Sequence, residues 1–353
     1  MHMADALLSP AVGGVMWAVT AGLTAYSAKK LKESPDDARA PLMGVLGAFI
    51  FAAQMINFSI PATGSSGHLG GGMILAILLG PHAAFLTLAS VLVVQALFFA
   101  DGGLLALGCN IFNMAFYTCF LAYPFIYRKI AGQNPSRKTI FIAATLSAVI
   151  GLQLGAFSVV LETMASGISE LPFRTFVLLM QPIHLAIGVV EGLVTTAVVL
   201  FVRQARPEVL ELAANNVPMK GVSLGKVLAG LAVAAVVTGG ALSWFASTYP
   251  DGLEWSMAKT AGTEELAAPE GGVHAALAGL QEKTAFLPDY GFRASESEKP
   301  AEAKAEASGP EEPAVWPNPD MGTSVAGLVG GALTLALAAA IGVFLRRASV
   351  ARR

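Results

Sequence analysis

Histidine is scarce in this chain, five among 353 residues, and two of the five sit where backbone chemistry adds to their own. One is His2, in the opening MHMADALLSP; the other is His68, in the glycine-rich PATGSSGHLGGG. A free N-terminus followed by histidine can chelate a metal through three nitrogens. The α-amine of Met1 and the deprotonated amide of His2 close a five-membered ring, and that amide with the imidazole closes a six-membered one. A second imidazole, His68, supplies a fourth donor. Tetragonal nitrogen coordination suits Ni(II) or Cu(II), whereas Cu(I) wants sulfur and calcium or magnesium wants an oxygen cage. The bulk of His2 is expected to protect Met1 from removal, and Met3 is a weak axial candidate. Asp5, the nearest carboxylate, has two readings: it accepts the free N–H of a ligating imidazole, or it caps the first helix. Plainer readings stand beside the chelate, with His2 incidental and GSSGHLGGG a flexible turn.

Whatever holds these residues is a membrane bundle. Hydrophobic residues make up 55% of the chain and charged residues 13%, against about 25% charged in soluble proteins. The apolar residues fall in blocks long enough for helices to cross a hydrocarbon core roughly 30 Å thick, and the alternating ten-residue strands of a barrel are absent. The fold class is therefore all-α: a polytopic bundle of about seven spans followed by a two-span module. Residues 1–9 carry no Lys or Arg, so the first helix reads as a permanent span and not a signal peptide. A net charge of -2 gives no reason to expect a nucleic-acid partner. Cys109 and Cys119 read as buried thiols.

Apolar runs and breakers place spans near 10–28, 41–60, 70–81, 83–100, 103–127, 139–160, 176–202, 227–246 and 323–345. The third, GGGMILAILLG, is too short to cross alone and reads as a broken or tilted helix inside the bundle. Lys29, Lys30, Lys32, Arg39, Arg128, Lys129, Arg137, Lys138, Arg203, Arg206, Lys220 and Lys226 cluster on one side, with the C-terminal arginines, while the opposite short loops hold only Arg174. The positive-inside rule then puts the C-terminus in the cytoplasm and the N-terminus outside, which requires the third segment to complete a crossing. His2 and His68 share the outer face. The domains follow: 1–203, a metal-binding membrane domain; 204–226, a cytoplasmic linker; 227–345, a two-span module with an outer loop at 247–322; and 346–353, a basic cytoplasmic tail. Within the loop an ordered element is expected near Pro250–Lys259, and disorder over 294–314, where Glu, Ala, Pro and Lys cannot build a core.

Several polar groups fall inside spans. Glu191, with His184 seven residues earlier on the same helical face, reads either as a brace held by hydrogen bonds, the preferred reading, or as an ion relay. His82 reads as structural. Asn110 and Asn113, with Gln54 and Asn57, must find partners in lipid and are candidates, with Asp5, to support the ligands from beneath. Small residues recur at Gly14, Ala18, Gly22 and at Gly44, Ala48, Ala52, stripes that suit internal packing or docking to another membrane subunit alike. No P-loop occurs; GVSLGKV has the wrong spacing.

MHMADALLSP, GSSGHLGG, ALFFADGGLLALGCNIFNMA and HLAIGVVEGLVT together resemble the nickel- and cobalt-binding substrate-specificity (M-type, CbiM/NikM) subunits of energy-coupling-factor transporters, over about residues 1–203. PDGLEW is similar to their small two-span N-type companion, here fused. The resemblance implies that Ni(II) or Co(II) is the transported substrate, held by Met1, His2 and His68, with no catalytic residues in this chain. It also implies a transmembrane coupling subunit and separate ATPase subunits as partners in the cell membrane. Two other classes stay compatible with the residues: an ion-coupled secondary transporter using Glu191 and His184, and a metal-binding membrane sensor or scaffold. The charge pattern makes a direct prediction. A reporter active only outside the cell should work when inserted near Ser65 and stay silent near Pro35; a silent reporter at Ser65 would put His68 on the wrong face.

Overall fold

Ser9 and Pro10 open the first helix. The Ser9 hydroxyl accepts from Val12 N at 3.4 Å, and Pro10 takes a first-turn position where no N–H is needed. In this computed structural model, which describes residues 2–215, 217–219, 223–293 and 316–350, that helix is α1 (Pro10–Glu33). Met1 and the 294–314 stretch lie outside the described residues. Lys30 and Lys32 close the last turn of α1, where cations suit the helix dipole.

The second helix, α2 (Arg39–Gln54), is buried along almost its whole length, whereas α1 is mostly exposed. Beyond α2 the chain forms an antiparallel hairpin, β1 (Phe58–Ile60) and β2 (Ser65–Gly67), with Phe58 opposite Gly67 and Ile60 opposite Ser65. Residues 68–71 follow without helical structure, and then α3 (Gly72–Leu79), every residue of which is buried. Eight residues reach only about 12 Å, well short of the roughly 30 Å core. The third span expected at 70–81 is therefore too short to cross by itself, and the stretch before it, 68–71, runs without helical structure, with Leu69, Gly70 and Gly71 buried. Gly80, with φ +77°, turns α3 directly into α4 (Pro81–Phe99). At this far end His82 packs against Tyr26 and Phe120, with ring centroids 5.3 and 5.5 Å away.

The next helix, α5 (Leu107–Ala131), is wound with π-type hydrogen bonds over Phe112–Tyr127 and carries Pro124. Helices α6 (Arg137–Ser166) and α7 (Phe173–Ala205) run along one another in the most extensive contact of the bundle. The expected linker contains a further helix, α8 (Pro207–Asn215), which buries Val209 and Ala213 and packs on α3 and α7. Then come α9 (Gly225–Gly240), two outer-segment helices α10 (Gly252–Ala261) and α11 (Gly272–Thr284), and α12 (Met321–Val350). Among the described residues six helices are long and apolar enough to cross a membrane (α1, α4, α5, α6, α7 and α12), and α2 and α9 are shorter apolar helices.

The C-terminal helices α9 and α12 are packed into the bundle. Helix α2 lies against both α9 and α12, and α12 also meets α4 and α1. The two small-residue stripes part here. Gly44, Ala48 and Ala52 are buried, with a Cβ on Gly44 lying 3.0 Å from Leu335 O of α12, while Gly14 and Gly22 have nothing within 4 Å. Helices α9 and α12 cross where a Cβ on Gly239 would lie 3.1 Å from the carbonyl carbon of Gly327. Gly327→Val should force them apart and cost about 1–3 kcal/mol, read as a lower unfolding midpoint in detergent. Gly14→Val should leave the midpoint unchanged, and equal effects would contradict the crossing.

Candidate metal centre

The N-terminal strand is fastened to α5 by its main chain. Met3 N donates to Asn110 Oδ1 at 2.8 Å, and Met3 O accepts from Asn110 Nδ2 at 3.2 Å and from Gly103 N at 2.9 Å. Asp5 takes neither role weighed for it. Its Oδ1 accepts from Ala106 N at 2.9 Å, just ahead of α5, while Ser9 caps α1. Asn113 lies beneath the strand, donating to Glu162 Oε2 at 2.7 Å and lying 3.8 Å from Met3 Sδ. These fastenings fix His2, whose side chain is only 8% exposed. Its ring stacks on His68, with centroids 5.0 Å apart and planes 13° from parallel. His2 Nδ1 lies 3.2 Å from Asp101 Oδ1.

His68 rides on the non-helical stretch between β2 and α3. Its Nδ1 is 3.0 Å from Leu69 O, a contact that requires a proton on Nδ1 and leaves the Nε2 lone pair for a ligand. Gly70 is clamped on both sides: its N–H donates to Glu191 Oε2 at 2.7 Å and its carbonyl accepts from Gln54 Nε2 at 2.9 Å. Gln95 Nε2 donates to Gln54 Oε1 at 2.9 Å and steadies that side chain. Glu191 thus braces the loop bearing His68. His184 is not its partner; His184 Nδ1 donates to Met180 O at 2.8 Å, and the ring lines a small cavity beside His68.

The second module closes the site. Ser66 N donates to Pro250 O at 2.8 Å, Ser247 N to Asn57 O at 2.7 Å, and Trp255 Nε1 to Thr63 O at 3.0 Å, so PDGLEW grips the hairpin. Asp251 caps α10 in a reciprocal box with Glu254. Farther along, Gln281 donates to Ala96 O and Gly102 O, both at 2.8 Å, and the Tyr290 hydroxyl donates to Asp101 Oδ2 at 2.5 Å. His274 Nε2 lies 2.8 Å from Leu8 O. A cleft of about 600 Å³ results, lined by His2, Asn57, His68 and Asp101 from one module and by Asp251 and Glu254 from the other, among others.

Burial, together with nearby positive charge, lowers His2 to about 3 and His68 to about 4, so both imidazoles are neutral and able to ligate. Burial also raises the Asp101 carboxyl, against the hydrogen bond from Tyr290. At Asp251 burial is outweighed by the neighbouring positive charge of the terminal amine and by the Glu254 N–H, which hold it below the ordinary carboxylate range. Among the described residues no three His, Cys, Asp or Glu side chains group to hold a metal by themselves. Two imidazoles, those of His2 and His68, converge. Met1 lies outside the described residues. Sequence reasoning missed Asp101, Asp251 and Tyr290 as neighbours of the histidines. Asp101 had a signal, as the single carboxylate between α4 and α5.

The family profile described as the cobalt uptake substrate-specific transmembrane region matches residues 2–209. The chain belongs to this family. A second profile, the PDGLE domain, matches residues 225–347, so a CbiM-type region and a PDGLE region are fused in one chain. A protein of Archaeoglobus fulgidus, provisionally named a fused nickel transport protein NikMN, is 32% identical over 351 residues, 99% of this chain and 100% of that relative. The fused nickel transport protein NikMN of Rhodobacter capsulatus is 30% identical over 315 residues, 82% of this chain and 88% of the relative. A crystal structure described as a truncated transition metal transporter is 31% identical, with a TM-score of 0.52, and covers 58% of this chain and 99% of that one. GSSGHLGG lies in the first matched region and PDGLEW in the second, and the two segments are in contact here.

Asn110 makes two side-chain bonds to the main chain of Met3, each worth about 1 kcal/mol. Asn110→Ala should therefore weaken Ni(II) binding by roughly ten- to thirtyfold, measured by titration calorimetry on the full chain, and His274→Ala, which frees only Leu8 O, should cost less. An unchanged affinity in Asn110→Ala would mean that the strand position does not matter.

Proposed function

We propose that this chain is the substrate-binding membrane component of an ATP-driven, energy-coupling-factor uptake transporter for Ni(II) or Co(II). The observation that carries the reading is the stacked pair His2 and His68, neutral and buried at the base of a cleft that both modules line. The names of the relatives, as nickel and cobalt transport proteins, point the same way. Metal arrives at the outer face and is held by the Met1 amine, the His2 amide and imidazole, and the His68 imidazole. A six-membered ring through the His2 amide uses Nδ1, so coordination displaces Asp101 from that nitrogen. Nε2 of His68, left free by the Leu69 contact, completes the plane. A transmembrane coupling subunit and ATPase subunits then drive reorientation and inward release.

The N-terminus is outside and the C-terminus cytoplasmic in this account, with residues 1–203 as the metal-binding domain and 227–345 as the fused companion. The companion's part is to hold the hairpin closed on the metal through Pro250, Asp251 and Trp255. Binding of Gly70 N by Glu191 Oε2 supports its reading as a brace over that of an ion relay.

Inserting one residue between Met1 and His2 enlarges the chelate and should abolish tight Ni(II) binding, as should His68→Ala. Full affinity in the inserted chain would rule out the N-terminal chelate. In vesicles carrying the coupling and ATPase subunits, uptake should require ATP; ATP-independent uptake by this chain alone would favour a secondary transporter. Elemental analysis of the purified chain decides nickel against cobalt.

A further inference from the structure

His184 takes no part in the outer chelate, yet it is built like a metal ligand. Its side chain sits in α7 and is 1% exposed. Nδ1 donates to Met180 O at 2.8 Å, which fixes the tautomer and leaves the lone pair on Nε2. A second-nitrogen bond to a backbone carbonyl is how ligating histidines are commonly oriented, and His68 has the same arrangement with Leu69 O. Nε2 of His184 is buried and has no hydrogen-bond partner among the described residues. An unmade bond at a buried ring nitrogen is costly unless a ligand supplies it.

The two rings also share a space. His68 and His184 line one cavity of about 10 Å³, with Gly67, Gly70, Met114, Leu152, Ile187, Asp251 and Gly252 around it. That volume is about one water or one ion. Gly252, at the start of α10, presses directly on the ring: a Cβ there would lie 3.2 Å from His184 Cε1 and 2.6 Å from Ile183 Cγ2. The element that grips the hairpin therefore also covers this inner space.

We propose that His184 is an inner metal ligand, its Nε2 joining His68 to receive Ni(II) or Co(II) from the outer chelate. This rests on the reading of His2 and His68 as metal ligands. In the handover His68 stays bound while the His184 lone pair and water replace the Met1 and His2 donors. The released His2 amide regains from bulk solvent, through the cleft, the one proton it lost on binding, so atoms and charge balance. Imidazole donors at the inner site accept the same divalent cations as those of the outer one.

Co(II) absorption of the purified full chain reads the test. In His2→Ala, which disables the outer chelate, Co(II) should still bind, more weakly, with the spectrum of imidazole-ligated cobalt. Adding His184→Gln should weaken that residual binding by at least about tenfold. Glutamine can still donate to Met180 O but offers no comparable metal donor, so a purely structural His184 would be replaced without loss. Equal Co(II) binding by His2→Ala with and without His184→Gln, or no binding by His2→Ala, overturns the inner site. With His2 intact, His184→Gln should slow ATP-driven uptake in vesicles with the partner subunits; unchanged uptake overturns the proposal. Undiminished affinity in His2→Ala would instead strike the outer chelate, and shows in a comparison that does not involve His184.

Discussion

Buried peptide groups have to be satisfied by protein, and the segment that carries His68 is the place where this protein meets that constraint. Residues 68–71 have no helix to supply their hydrogen bonds, and Leu69, Gly70 and Gly71 are buried, so side chains have to supply them. Glu191 from α7 takes Gly70 N and Gln54 from α2 takes Gly70 O. Gln95 from α4 steadies Gln54. Three helices are thereby committed to one glycine, and the short α3 begins where their support ends. A loop held this firmly can present an imidazole with little freedom to move, which is what a site for a small ion demands.

The second module belongs to the same construction. Its helices α9 and α12 enclose α2, the helix that supplies Gln54, and its outer segment bonds to the hairpin through Pro250 and to the α4–α5 loop through Gln281 and Tyr290. Asp101 consequently sits between His2 of the N-terminal strand and Tyr290 of the companion. A change in how the companion sits would reach both histidines, one through the hairpin and one through Asp101. Fusion of the two modules keeps these contacts permanently local.

The nearness of His2 and His68 was legible in the sequence because the chelate expected there needs only residue type and chain position, and the structure stacks the two rings. The shortness of the third span was legible too, in GGGMILAILLG. Other features were not. Asp5 sits close to His2 in sequence, but the fold turns its carboxylate toward Ala106. Glu191 and His184 share a helical face by spacing, but each finds its partner elsewhere, on Gly70 and Met180. Helix α11 and the Tyr290 contact with Asp101 depend on long-range packing that periodicity does not carry. The stripe on α1 and the stripe on α2 look alike as sequence and differ only in what lies opposite.

X-ray absorption spectroscopy of the purified, nickel-loaded chain tests the central claim most directly, because it reads the donor set without relying on any variant. The account predicts four nitrogen donors in a plane, two of them imidazoles with their outer-ring scattering. Six-coordinate nickel rich in oxygen, or a site with no imidazole scattering, would contradict it.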